Sequence, residues 1–256
     1  MDWLTLLIPD MLAPNEAGFL IVLAGFTSLL TAVMGIGGGA LLIAVMAQVV
    51  PVAALIPVHG MVQFGSNVNR AAMTHRHIDH PWLRSFLYGS VVGALIASLI
   101  VVQLPLVAIQ LSVGLFILWM VWGPKPRHAV MSPAKVVLAG AFTTLVSMFV
   151  GATGPLVGGL LHRAGGDKMG RVATMAAALT IQHGLKIFVF AFVGFAFSDW
   201  LPLIVMMIAS GALGTWIGLH LLHRMSSALF NTVFRWVITL LALRLVYQGA
   251  LALAAA

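Results

Sequence analysis

Four stretches of the chain, 83–103, 105–122, 202–222 and 228–250, stay apolar over the roughly 20 residues that an α-helix needs to cross a bilayer. Two more, 52–74 and 172–195, are long enough but carry polar side chains. Only 7% of the residues are charged and mean hydropathy is +1.09, whereas a water-soluble domain carries about 25% charged residues. So few charges cannot cover a globule in water, so lipid must be the main solvent. The fold expected is an all-α polytopic membrane protein. Its 26 glycines suit close helix packing and helix breaks. The absence of cysteine excludes disulfides, thiolate metal sites and thiol catalysis. Asp2 stands where a signal peptide would be basic and no Ala-x-Ala-like site follows, so the N-terminus does not read as a cleaved leader.

The remaining apolar stretches, 18–50 and 136–161, are interrupted by Gly35-Ile-Gly-Gly-Gly39 and Gly151-Ala-Thr-Gly-Pro155. Lys and Arg favour the cytoplasmic side of a membrane. Arg70, Arg76 and Arg84, then Lys125, Arg127 and Lys135, then Arg163, Lys168 and Arg171, then Arg224 are therefore placed inside. Asp2, Asp10, Glu16 and Asp199 are placed outside. On this assignment 18–50 starts and ends outside and 136–161 starts and ends inside. Each is then a re-entrant hairpin turning at its glycines, which lipid permits only where the backbone is buried in protein or lines a cavity. The alternative is a continuous span merely kinked at each glycine run. The expected layout is an external segment 1–17, a first repeat 18–122, a cytoplasmic linker 123–135 and a second repeat 136–256. Both termini are external, and the location expected is the cell (inner) membrane.

The two halves resemble each other. Ala24-Gly25 before the first glycine motif corresponds to Ala139-Gly140 before the second. Gln63-Phe-Gly65 matches Gln182-His-Gly184, with Asn67 opposite Lys186. Gly89, Gly93 and Ala97 match Ser210, Gly214 and Gly218. With one hairpin and three crossings per half, the repeats are expected to be inverted, as in many secondary transporters.

These features resemble the TauE/SafE family of sulfite and organosulfonate transporters. The resemblance covers nearly the whole chain and rests on the glycine motifs, the length and the two-half layout. Gly35-Ile-Gly-Gly-Gly39 followed by Ala40-Leu41-Leu42 is similar to the family's first motif, and Gly151-Ala-Thr-Gly-Pro155 is a looser match to its second. The resemblance implies movement of a small sulfur-containing anion across the cytoplasmic membrane.

Polar groups inside a span are costly and by default mark a site. His59, Gln63, Asn67 and Arg70 share one helical stripe on 52–74, although Arg70 is assigned to the cytoplasmic cluster. Gln182 and Lys186 form the matching pair on 172–195, beside His183. The candidate substrate-binding residues are Gly35, Gly37, Gly38, Gly39, Gln63, Asn67, Gly151, Ala152, Thr153, Gly154, Gln182 and Lys186. Glycine tips offer backbone N–H groups at half-helix N-termini. Amides and Thr153 can donate to oxyanions. Lys186 has no carboxylate within a turn or two on its own helix, so a bound anion would supply its counter-charge. His59 and His183 are candidates for proton coupling, against the plainer reading of satisfied interior histidines. Each glycine and amide also has a plain packing role as its alternative. Arg235 and Arg244 serve a pathway only if they face the bundle.

His75-Arg-His77-Ile-Asp-His80 has enough ligands for a metal, but Arg76 and Arg84 oppose a cation there. It reads as a basic juxtamembrane turn, and no metal or cofactor is expected. The expected function is a secondary transporter or exporter working by alternating access, not an enzyme. An intramembrane enzyme, a passive anion channel and, further off, a metal-efflux protein are the alternatives. The expected partners are a small anionic substrate, the bilayer and a coupling ion, proton or sodium. A homodimer stays open and nucleic acid is not expected.

Overall fold

The computed structural model describes residues 8–34, 37–101, 105–123, 131–164, 167–221 and 228–254. Gly35, Asp2, Lys125, Arg127 and Arg224, and the side chain of Arg163, lie outside this description. The described residues form ten α-helices and two 3-10 turns, with no strand among them. One order of elements occurs twice. The first half has α1 (Pro14–Met34), α2 (Gly38–Met46), α3 (Val52–Met73), α4 (His80–Val101) and α5 (Leu106–Trp122). The second has α6 (Pro133–Val150), α7 (Gly154–Ala164), α8 (Lys168–Phe192), α9 (Leu201–Leu221) and α10 (Ala228–Ala254). A long helix, a short helix and three further helices make up each half.

The chain reverses at both glycine motifs. At the first, the backbone of Gly38 lies against α1, where a Cβ would fall on the Thr27 carbonyl and the Thr31 hydroxyl. A continuous helix would carry residue 38 more than 10 Å beyond Thr31 at 1.5 Å per residue. At the second, the amide of Gln182 bonds both Thr153 and Thr143. Those threonines would stand about 15 Å apart along an unbroken helix. The reversals use glycine where φ is positive, at Gly37 (107°) and Gly151 (79°).

The hairpin arms are unequal. The first arms, α1 and α6, are long and apolar enough to cross a membrane on their own, as are segments of α4, α8 and α10 and the stretch Phe197–Leu221. The second arms, of 9 and 11 residues, span only about 14 and 16 Å. Helix α3 falls outside that set of six because of its polar stripe. It can afford that stripe because protein surrounds it: Ser66, Asn67 and Arg70 are all buried.

Each half lends its long first arm to the other. Helix α1 packs on α9, and α6 packs on α4. Glycines are the crossing points in both halves: Gly214 meets the Gly25 carbonyl, while Gly89 and Gly93 meet the carbonyls of Val137 and Ala141. The central pair is α3 with α8, and α5 pairs with α10. Residue order fixes the directions. In α1–α9 and α4–α6, rising numbers meet rising numbers, so those helices are parallel. Gln110 and Leu111 meet Gly249, Gly114 meets Val246, and Trp122 bonds Thr239, so α5 and α10 are antiparallel. A single continuous span in each half would have made α5 and α10 parallel.

The starts of α4, α6 and α8 lie together, tied by the bond from the Asp79 N–H to Thr174 Oγ1 at 2.9 Å. Arg76, Arg84, Lys135, Lys168 and Arg171 therefore gather at one end. Asp10, Glu16 and Asp199, beside the starts of α1 and α9, lie at the other. The outer faces are apolar, with Leu99, Phe142, Phe188 and Phe192 exposed, as a lipid-facing surface requires.

Candidate functional site

The two reversals meet at the centre of the α3–α8 pair. A Cβ on Gly151, in the second, would collide with the Ile43 side chain on α2 and lie 3.5 Å from Nδ1 of His59 on α3. Between them lies a pocket whose atom-free space, its open mouth included, is about 340 Å3. Thr31, Gly37, Gly39 and Ala40 line it from the first tip, and Ala152, Gly154 and Pro155 from the second. Helix α3 contributes His59, Gln63 and Asn67. Helix α8 contributes Met175, Leu179 and His183.

On α3 the polar stripe is a connected chain. Asn67 Nδ2 donates to the backbone carbonyl of Gln63 at 2.7 Å and to its Oε1 at 3.4 Å. Arg70 Nη1 donates to Asn67 Oδ1 at 3.1 Å. The Gln63 amide lies against Gly39, where a Cβ would come within 3.3 Å of it. Gly37 stands at the N-cap of α2 and has no side chain to bond the first N–H groups, while the Ala40 and Leu41 N–H groups donate to its carbonyl at 3.0 Å.

The matching residues on α8 are placed differently. Gln182 is fully buried, with Nε2 donating to Thr143 and Thr144 at 2.9 and 3.0 Å and Oε1 accepting from Thr153 at 2.9 Å. Lys186 is also fully buried. Its amine donates to the Gly151 carbonyl at 2.9 Å, and its stem packs over Gly60. Gly38, Gly151, Thr153, Gln182 and Lys186 thus stand behind the cavity wall, whereas Gly37, Gly39, Gln63, Asn67, Ala152 and Gly154 form it. Gly35 lies outside the described residues.

His59 bonds the Gly39 carbonyl through Nε2 at 3.0 Å. A carbonyl only accepts, so Nε2 carries the proton and Nδ1 is left without a partner among the described residues. Nδ1 of His183 is also unpartnered, and the two rings meet edge to face at 6.0 Å between centroids.

Sequence reasoning placed Arg70 among the cytoplasmic cations, but it is 1% exposed and faces inward. It also missed Thr31, Ala40, Pro155, Met175 and Leu179. Thr31 stands four residues after Thr27 on one face of α1, a spacing that could have drawn attention to it. The apolar members carry no such signal. Arg235 and Arg244 are exposed, and Arg235 rests 5.4 Å over the Trp122 ring. In the His75–His80 turn, Asp79 Oδ1 accepts from the Trp82 N–H at 3.1 Å and His75 bonds the Ala72 carbonyl at 2.9 Å. Among the described residues no three His, Asp or Glu side chains converge as a metal site would need.

A family model described as "Sulfite exporter TauE/SafE" matches residues 20–245. No curated protein and no solved structure matches the chain.

Proposed function

Because this chain belongs to the TauE/SafE sulfite exporter family, we propose that it carries a small sulfur-containing oxyanion through the central cavity by alternating access. One observation carries the reading: the Gln63 amide and the start of α2 border a cavity that, among the described residues, holds no carboxylate. Asp10, Glu16, Asp79, Asp167 and Asp199 all sit at helix ends or in turns, and none lines the cavity. The Gln63 NH2 group and the N–H end of α2 suit sulfonate or sulfite oxygens, while Asn67 and Thr31 already give their protons to Gln63 and to the Thr27 carbonyl. Met175, Leu179 and Pro155 on the opposite wall suit a short apolar tail. Gly38, Gly151, Thr153, Gln182 and Lys186 act behind the wall by holding the tips in place.

The antiparallel α5–α10 pair supports inverted repeats, with the boundaries at 18–122 and 136–256. The basic end favours the cytoplasm, which puts both termini outside in a cell inner membrane. Among coupling ions, the proton suits the site better than sodium. His59 and His183 each keep a buried ring nitrogen unpartnered among the described residues, a place where a proton can be held.

Counterflow in proteoliposomes tests the reading. Unlabelled methanesulfonate or sulfite trapped inside should drive uptake of the labelled compound against its gradient. Uptake that never exceeds equilibration would indicate a channel, and conversion of the compound would indicate an enzyme.

A further inference from the structure

Arg70 lies one helical turn beyond Asn67, sealed within the helices. A guanidinium offers five N–H donors and no acceptor, so any neighbour must turn an acceptor toward it. Asn67 does so with Oδ1 at 3.1 Å, and Ser66 with Oγ at 3.5 Å. Ser66 Oγ in turn shares a 3.0 Å bond with Ser28 Oγ on α1. Arg70 Nε has no partner.

An amide that gives its oxygen to a guanidinium must present its NH2 group on the other side. The Asn67 NH2 accordingly donates to both oxygens of Gln63. That contact occupies Gln63 Oε1 and leaves the Gln63 NH2 for the cavity. The orientation of each amide follows from the one before it, starting from a group that cannot accept. In the second half the position matching Arg70 is Val189, and threonines orient Gln182 instead. The device exists on one side of the cavity only.

We propose that Arg70 is a specificity-determining positioning residue that, through Asn67, holds Gln63 with its N–H donors toward the cavity and so makes the wall select an oxyanion over a ligand that must donate. This rests on the cavity being an anion site, and it adds a residue that does not touch the substrate.

The test uses the full chain in nanodiscs. Methanesulfonate is the anionic probe and methanesulfonamide is a neutral counterpart of similar shape that carries N–H donors. Both affinities are measured by calorimetry. The parent should prefer methanesulfonate. Arg70→Met frees Asn67 and Gln63 to turn, so methanesulfonate affinity should fall about tenfold and the preference should collapse. Arg70→Lys still donates to Asn67 and should restore part of the preference. In a Gln63→Leu background, Arg70→Met should add less than about twofold, because the two changes cut one chain. If its full loss persists there, or if the single variant keeps the parent's preference, the relay is refuted. Should Arg70→Met fail to fold, Asn67→Leu breaks the same chain and leaves the cation in place. An unchanged preference in Asn67→Leu refutes the proposal equally. A parent that binds neither methanesulfonate nor sulfite overturns the anion-site reading itself, a different result from an additive cycle.

Discussion

The two glycine tips occupy matching places in the repeat but use their polar residues in opposite ways. At the first, Gln63 lines the cavity and its side-chain oxygen accepts from Asn67. At the second, Gln182 bonds three threonines and is sealed behind the wall. The cation of the first half donates to Asn67, while the amine of the second donates to the Gly151 carbonyl. Packing is asymmetric as well: Gly38 is pressed on α1, but a Cβ on Gly154 would meet only Leu179, at 3.7 Å. The same order of elements carries different side-chain chemistry in the two halves. Under the proposed function the first half recognises and the second supports.

The sharpest way to break this contrast is at the two helix starts. Gly38→Ala should abolish counterflow and destabilise the protein by about 3 kcal/mol, because the methyl overlaps a backbone carbonyl that cannot move aside. Gly154→Ala should cost less than about 1 kcal/mol, since its methyl makes an ordinary contact. Thermal unfolding and counterflow on both variants check this, and equal losses would make the tips mechanically equivalent.

The glutamines come next. Gln182→Leu should lower stability by about 2–3 kcal/mol, because the Thr153 hydroxyl is left buried with no acceptor. Gln63→Leu should leave unfolding nearly unchanged and weaken methanesulfonate binding by about 1–3 kcal/mol. Calorimetry beside unfolding curves separates the two effects, and the reverse pattern would exchange the roles assigned to the halves.

A smaller effect is expected at Lys186. Lys186→Met removes the donor to Gly151 and should cost about 1–2 kcal/mol of stability. Binding should weaken less than in Gln63→Leu, because the amine stands behind the wall. If titration calorimetry shows the larger binding loss at Lys186, this side chain reaches the substrate during transport.

The smallest effect should come from Thr31→Val: the Thr31 hydroxyl already gives its proton to the Thr27 carbonyl, so any loss of methanesulfonate binding should stay below about 0.5 kcal/mol. If that loss exceeds the one at Gln63, recognition lies on α1 rather than α3.

The membrane fold, the glycine interruptions and the polar stripes were legible in the sequence because each departs from what lipid tolerates. Polar residues such as Asn67 and Gln182 have no reason to interrupt an apolar run unless protein surrounds them. The different uses of Gln63 and Gln182 were not legible. Hydrogen-bond direction depends on Thr143 and Thr144, which come from α6, some forty residues from Gln182. The burial of Arg70, in the last turn of α3, was not legible for a related reason. Its neighbours in sequence, Arg76 and Arg84, pointed to the headgroups, whereas its helical register with Asn67 pointed inward, and register won. Whether the glycine motifs bend or reverse the chain also depended on tertiary contacts, since glycine permits both.

The exchanged packing of α1 with α9 has a consequence during synthesis. The ribosome reaches Gly214 189 residues after Gly25, which takes about 10–40 s at ordinary elongation rates. Throughout that interval α1 sits in the bilayer with the glycine face that α9 will cover turned to lipid or to the insertion machinery. The first half cannot close its own fold as it emerges. Assembly waits for the last quarter of the chain, and a nascent protein stopped before α9 leaves its opening helix unpartnered, a recognisable mark for membrane quality control.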